Sequence, residues 1–266
     1  MSTRGRARSA FVVALGDLHC GHREGLTPPS WREREQRPGS AFGKQLEAWS
    51  RYEELRRSLP RPDVVLALGD LIDGRGEVSG GTELLTTDRA EQAQMAVECL
   101  APWRPRRGYA IVRGTPYHTG QLEEFEDAVA AGLGCRRIAD RLYPEVEGVT
   151  FDCAHEVGGS SVPHGRFTAV AREALWDLIG AADGVAPRVQ VVLRAHVHYH
   201  VYCGAAGAAL ALTVPALQAS TRYGRRRVRR ACHWGLCWFE VSNGRVIRWA
   251  AECVQLRSAR AETCRI

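Results

Sequence analysis

The chain has 266 residues, 45% of them hydrophobic and 25% charged, with a net charge of +6. Such a composition belongs to a globular domain with a sizeable core and excludes a fibrous or low-complexity chain. No apolar run reaches the roughly 18–20 residues that a membrane span requires, and the short run after the Arg-rich start is no signal peptide. A cytoplasmic protein is therefore expected.

The predicted order is strand, helix, strand, helix, strand, helix, then strands, in a single domain spanning 1–266. Residues 1–9 are expected to be disordered. Phe11 to Gly16 reads as a strand buried on both faces, and it ends in Asp17-Leu-His19. A polar, Pro-containing loop follows from Gly21 to Phe42, long enough for a lid or substrate wall. Lys44 to Ser58 has helical spacing, with Leu46, Trp49, Tyr52 and Leu55 on one face. A second buried run, Val64 to Gly69, ends in Asp70-Leu-Ile-Asp73. Thr87 or Asp88 caps a helix that continues to about Leu100. Tyr109 to Gly114 leads into Thr115-Pro-Tyr-His118, and a helix is expected from Gly120 to Leu133. Arg166 to Ile179 is the next helix, with Val170, Ala174, Leu175 and Leu178 facing inward. The fourth apolar run, Val189 to Ala195, ends in His196-Val-His198. Alternation in the tail on either side of Asn243-Gly244 is a hairpin signal.

Four buried runs that each finish in Asp or His are the chief clue to chemistry. Side chains two apart on a strand end point the same way, so Asp17 with His19, and His196 with His198, can each serve one spot. Carboxylates and imidazoles gathered there form a ligand set for divalent metals. Taken singly, Asp17 and Asp70 could be helix caps, and the histidines could be ordinary half-buried ones. The nine cysteines include no Cys-x-x-Cys pair and read as reduced, mostly buried thiols. Lys44 is the only lysine. The cluster Arg222 to Arg230, which includes Arg225, Arg226 and Arg227, is either a solvated loop or a seat for a polyanion such as nucleic acid. Gly158 to Ser161 reads as a turn, with a phosphate-binding nest as the alternative.

The succession Asp-x-His, Gly-Asp-x-x-Asp, a Gly-led third motif, a lone His and His-x-His resembles the calcineurin-like metallophosphoesterases, most of all the small versions from phage and bacteria. The resemblance covers about Phe11 to His200. It implies an α/β fold, a four-layer α/β/β/α sandwich, with two divalent metals at the strand ends. By the resemblance, Asp17, His19 and His198 bind the first metal, and Asp70 bridges both. His155 and His196 then bind the second. A metal-bridging hydroxide would attack a phosphoester, with Mn2+ favoured and Zn, Fe, Ni or Co also compatible. A phosphodiester substrate, nucleotide or nucleic acid, is favoured. The alternatives are a phosphomonoesterase on phosphoprotein or metabolites, and a catalytically weak metal- or nucleic-acid-binding protein. The third motif departs from the family's Gly-Asn-His: Thr115 stands where Asn is a ligand, and Pro116 where His protonates the leaving group. His118 is the substitute expected for acid or ligand, and Asp73 is expected to orient a ligand.

Overall fold

The computed structural model describes residues 9–34, 39–77, 80–119, 124–204, 209–222, 224 and 232–257. The elements in chain order are β1 (Ser9–Leu15), α1 (Phe42–Ser58), β2 (Val64–Leu68), α2 (Arg89–Leu100), β3 (Gly108–Val112), α3 (Pro116–Thr119) and α4 (Phe125–Gly132). Then come the short strands β4 (Ile138–Ala139), β5 (Arg141–Leu142) and β6 (Glu145–Val146), followed by β7 (Val149–Ala154), α5 (Arg166–Ala182) and β8 (Val191–Arg194). The chain closes with β9 (Tyr202–Cys203), β10 (Leu210–Thr213), β11 (Trp234–Ser242) and β12 (Arg245–Val254). Ser9 pairs with Ser242 as the first residue of β1, so it does not belong to a disordered start.

Two sheets form, ordered β12-β11-β1-β2-β3-β4 and β5-β7-β8-β10-β9. The central strands β1, β2 and β3 run parallel, as do β7, β8 and β10. Period-two alternation sorts their side chains. Val13, Leu15, Val65, Ala67 and Ile111 pack against α1, α2 and α4. Val12, Ala14, Leu66, Leu68 and Val112 face the second sheet, meeting Phe151, Val191 and Leu193. On the far side Val170 of α5 packs on Val192 and Ala211. The result is the expected α/β/β/α stack. Among the described residues no helix is long and apolar enough to cross a membrane.

Local signals explain several ends. Asp88 caps α2 by accepting the Ala90 and Glu91 N–H groups. Asn243 and Gly244 both take positive φ, at 50° and 72°, and turn β11 into β12.

Three helices differ from the sequence reading. In α1 the buried face is Gln45, Ala48 and Tyr52, while Leu46 is exposed. The helix expected from Gly120 begins only at Phe125, because Glu124 is left-handed (φ 39°); residues 120–123 lie outside the described residues. In α5 Val170 points inward, but Leu175 and Leu178 are 55% and 62% exposed. The inward positions belong instead to Asp177 and Glu173. Asp177 meets Arg141, and Glu173 meets Arg194. Arg194 is itself 1% exposed and also bonded to Asp152. An ion cluster under the helix outweighs the apolar periodicity.

The long loop after His19 is anchored on α2. Its Ser30 hydroxyl and Trp31 indole N–H donate to Glu98 near the C-terminal end of α2. Gln92, which accepts the Gly74 N–H, lies nearly two turns away along the same helix.

Candidate metal centre

The loops leaving β1 and β2 continue the parallel pairing beyond the strands. Asp17, His19 and Cys20 N–H groups donate to Gly69, Asp70 and Leu71 carbonyls at 3.0, 2.9 and 3.0 Å, and Asp73 N–H returns to Cys20 at 3.0 Å. This zipper fixes Asp17, His19, Asp70 and Asp73 relative to one another. Five of the nine non-glycine residues with positive φ among the described residues are Asp17, His19, Asp70, His196 and His198, at φ 46–67°. Left-handed backbone costs on the order of 1 kcal/mol or more per residue and concentrates at functional sites. Glycine is required beside them. A Cβ on Gly114 would lie 2.1 Å from Asp70 Oδ1, and one on Gly69 would lie 2.8 Å from His155 Nδ1.

Three groups of donor atoms converge, each with its members within 4.8 Å of one another: Asp17, His19 and His198; Asp70, His155 and His196; and His19, Asp70 and His118. The first two are the two ligand sets that the sequence resemblance implies. They are in contact, with His155 Nε2 3.0 Å from Asp70 Oδ2 and 3.9 Å from Asp17 Oδ1. His198 Nε2 lies 3.4 Å from Asp17 Oδ1 and 3.2 Å from His19 Nε2. His196 N–H donates to Asp17 Oδ2 at 3.1 Å, which ties the last loop to the first.

Hydrogen bonds at the far nitrogen set three tautomers. His19 Nδ1 meets Asp73 Oδ1 at 2.9 Å, His155 Nδ1 meets the Leu68 carbonyl at 2.6 Å, and His118 Nδ1 meets the Asp73 carbonyl at 2.7 Å. Each acceptor demands a proton on Nδ1, leaving the Nε2 lone pair for a cation. Asp73 thus fixes the His19 ring.

The donor set fits divalent cations. Asp17 Oδ1 and His155 Nε2 are buried and face only other members of the cluster, His198 Nε2 at 3.4 Å and Asp70 Oδ2 at 3.0 Å, so a cation there would meet groups with no competing partner outside it. The carboxylates are kept ionised: burial works to raise Asp17 and Asp70, yet the His198 and His155 imidazoles beside them hold both below the usual carboxylate range. Burial holds His19 and His196 below the usual imidazole range, so both are neutral and ready to ligate. His155 and His198 go the other way. Burial opposes their charging, but Asp70 pushes His155 up to about 10, and Asp17 holds His198 well above its ordinary value. A metal arriving at either must displace a proton.

Thr115 sits at the expected place. Its N–H donates to Asp70 Oδ1 at 2.7 Å, and its hydroxyl lies 3.1 and 3.3 Å from the two carboxylate oxygens. Its observed contacts are those of an Asp70 partner. His118 reaches the cluster from α3, with Nε2 4.0 Å from Asp70 Oδ2. Arg225, Arg226 and Arg227 lie outside the described residues. In the Gly158–Ser161 turn Ser160 N–H is taken by the Tyr199 hydroxyl, which leaves that group unavailable to a phosphate. Cys232 donates its thiol to the Gln218 carbonyl, and Cys237 lies in the core.

Two residues escaped the sequence reading. Glu126 is fully buried and accepts Leu71 N–H at 2.7 Å and Gly114 N–H at 2.6 Å, so one carboxyl group clamps the loops that carry Asp70 and Thr115. Burial first, and then the Asp70 charge, push it up to about 8. Gln92 accepts Asp73 and Gly74 N–H groups and donates to the Gly74 and Thr86 carbonyls. Each stands on its helix's apolar stripe, Glu126 with Val129 and Ala130, Gln92 with Met95, Ala96 and Cys99. A polar residue on such a stripe was the available signal.

No family model matches the chain, and no curated protein matches it. Solved structures do. Vacuolar Protein Sorting 29 from Cryptosporidium parvum is 12% identical with a TM-score of 0.46, covering 93% of this chain and 99% of its own. Vps29 from Entamoeba histolytica, complexed with zinc, is 15% identical with a TM-score of 0.43, covering 92% and 98%. An archaeal phosphodiesterase is 10% identical with a TM-score of 0.43, covering 87% and 99%.

Proposed function

We propose that this chain is a metal-dependent phosphoesterase of the calcineurin-like kind. The observation that carries the reading is the pair of abutting ligand sets, Asp17/His19/His198 and Asp70/His155/His196, built on strained backbone at the ends of parallel strands. In this reading Asp17, His19 and His198 would hold one divalent cation and His155 and His196 another, with the Asp70 carboxylate, which has two anionic oxygens, available to both. Such cations acidify water and neutralise charge that builds on a phosphoryl group. Mn2+ is our choice of metal; the oxygen and nitrogen shell also accepts Zn, Fe, Ni or Co.

The chain's own residues supply the remainder. Asp73 holds the His19 ring, the Leu68 carbonyl holds the His155 ring, and Thr115 pins the Asp70 carboxylate. His118 keeps Nδ1–H on the Asp73 carbonyl and presents Nε2 toward Asp70. When that nitrogen is protonated it is the group able to give a proton to a leaving oxygen, the task that Pro116 cannot perform. The arginines from Arg222 to Arg230 favour a phosphodiester, nucleotide or nucleic acid, over a monoester. We place the protein in the cytoplasm.

Purified protein, supplied with Mn2+ and then with chelator, is to be assayed on a bis-aryl phosphodiester and an aryl phosphomonoester. Faster diester hydrolysis that chelator abolishes is expected. Metal bound with no turnover on either would replace this reading with a binding protein, a possibility that the missing Asn-His pair of the third motif raises.

A further inference from the structure

The outer face of α5 is apolar and uncovered among the described residues. Phe167, Leu175, Trp176, Leu178 and Ile179 are 39–62% exposed, and Val185, just past the helix, is 82% exposed. Val185 N–H donates to the Gly180 carbonyl, which folds it back against the helix end. Together the six present on the order of 600 Å2 of apolar surface, as large as the largest patches on monomers, roughly 300–600 Å2. It also approaches the roughly 800 Å2 that each partner gives to a standard interface.

Charge at the edge of this face selects the occupant. Arg172 and Asp183 are both exposed and stand eleven residues apart, three helical turns, so they flank the stripe on one side. Neither forms an ion pair among the described residues. A stripe with a cation toward one end and an anion toward the other complements itself when two copies run antiparallel.

We propose that the protein forms a two-fold dimer through α5, with the axis passing near Asp177 and Leu178. Arg172 then faces Asp183 of the partner subunit, symmetry makes the pair twice, and Trp176 lies against Ile179 of the partner subunit. Leu175 and Leu178 are buried on association. This surface is independent of the metal centre, so the phosphoesterase reading and the dimer stand or fall separately.

Sedimentation equilibrium from low to high micromolar concentration is the test. The full chain is expected at about 59 kDa, twice its 29.4 kDa. Leu178→Asp, an exposed position, should give a monomer with an unchanged circular dichroism spectrum. Arg172→Asp and Asp183→Arg should each weaken dimerisation by at least about tenfold, and the two together should restore it. Three results would each overturn the proposal: a wild-type monomer throughout, a dimer that persists in Leu178→Asp, or a double charge reversal that fails to restore association.

Discussion

Replacing Glu126 with Gln probes how the loops carrying Asp70 and Thr115 are held together. The wild-type carboxyl is fully buried between the Leu71 and Gly114 N–H groups, and burial with the Asp70 charge raises it from 4.5 to about 8. In metal-free protein it is therefore protonated when folded and ionised when unfolded at intermediate pH. A group raised on folding gives its full stability below the unfolded value and loses it as pH climbs through the folded value. From about pH 5.5 to about pH 8 the wild type should lose about 3 kcal/mol by this route. Gln does not titrate. It turns an amide N–H2 toward one of the two backbone donors, which costs about 1–3 kcal/mol at every pH. Glu126→Gln should accordingly be less stable than wild type at the lower pH and at least as stable at the higher. Urea unfolding in excess chelator, followed by tryptophan fluorescence, measures both differences. If the gap between the two proteins is the same at both pH values, the buried, proton-linked clamp is wrong.

Other perturbations have equally definite outcomes. Asp73→Ala removes the acceptor that fixes the His19 ring, and metal affinity by calorimetry should fall about 10–100-fold with the fold intact. His118→Ala should keep its metal but lose about 10²-fold or more in turnover of an ester with a poor leaving group. The loss should be smaller for an aryl ester, and unchanged turnover on both would remove His118 from the chemistry. Arg194→Met strips a partner from Asp152 and Glu173 beneath α5 and should lower unfolding free energy by about 3–5 kcal/mol, read by urea titration.

What the sequence made legible was whatever is encoded locally. Apolar runs marked β1, β2, β3 and β8, the first three of them followed by glycine. The candidate ligands were legible from residue type and order, but not through strand alternation: Asp17, His19, His196 and His198 stand on left-handed backbone beyond the strand ends, and His196 and His198 join different donor groups rather than one spot. Asp88 and Asn243-Gly244 announced a helix start and a hairpin through their own backbone preferences. Failures share a different cause, which is a partner far along the chain. Leu175 and Leu178 were expected inside α5, but Arg141 and Arg194 draw Asp177 and Glu173 there from 36 and 21 residues away. Glu126 and Gln92 carry no motif, since what they satisfy is the backbone of loops 55 and 18 residues distant. Glu124 is the exception, a local one: its left-handed conformation sets the start of α4 at Phe125, which its side chain does not advertise.

The most direct test of the whole account is anomalous diffraction from a crystal grown with Mn2+. Two manganese peaks are expected about 3.5–4 Å apart, with Asp70 touching both, Asp17, His19 and His198 on one, and His155 and His196 on the other. A single peak, or two that do not share Asp70, would contradict the binuclear centre on which the proposed hydrolysis depends.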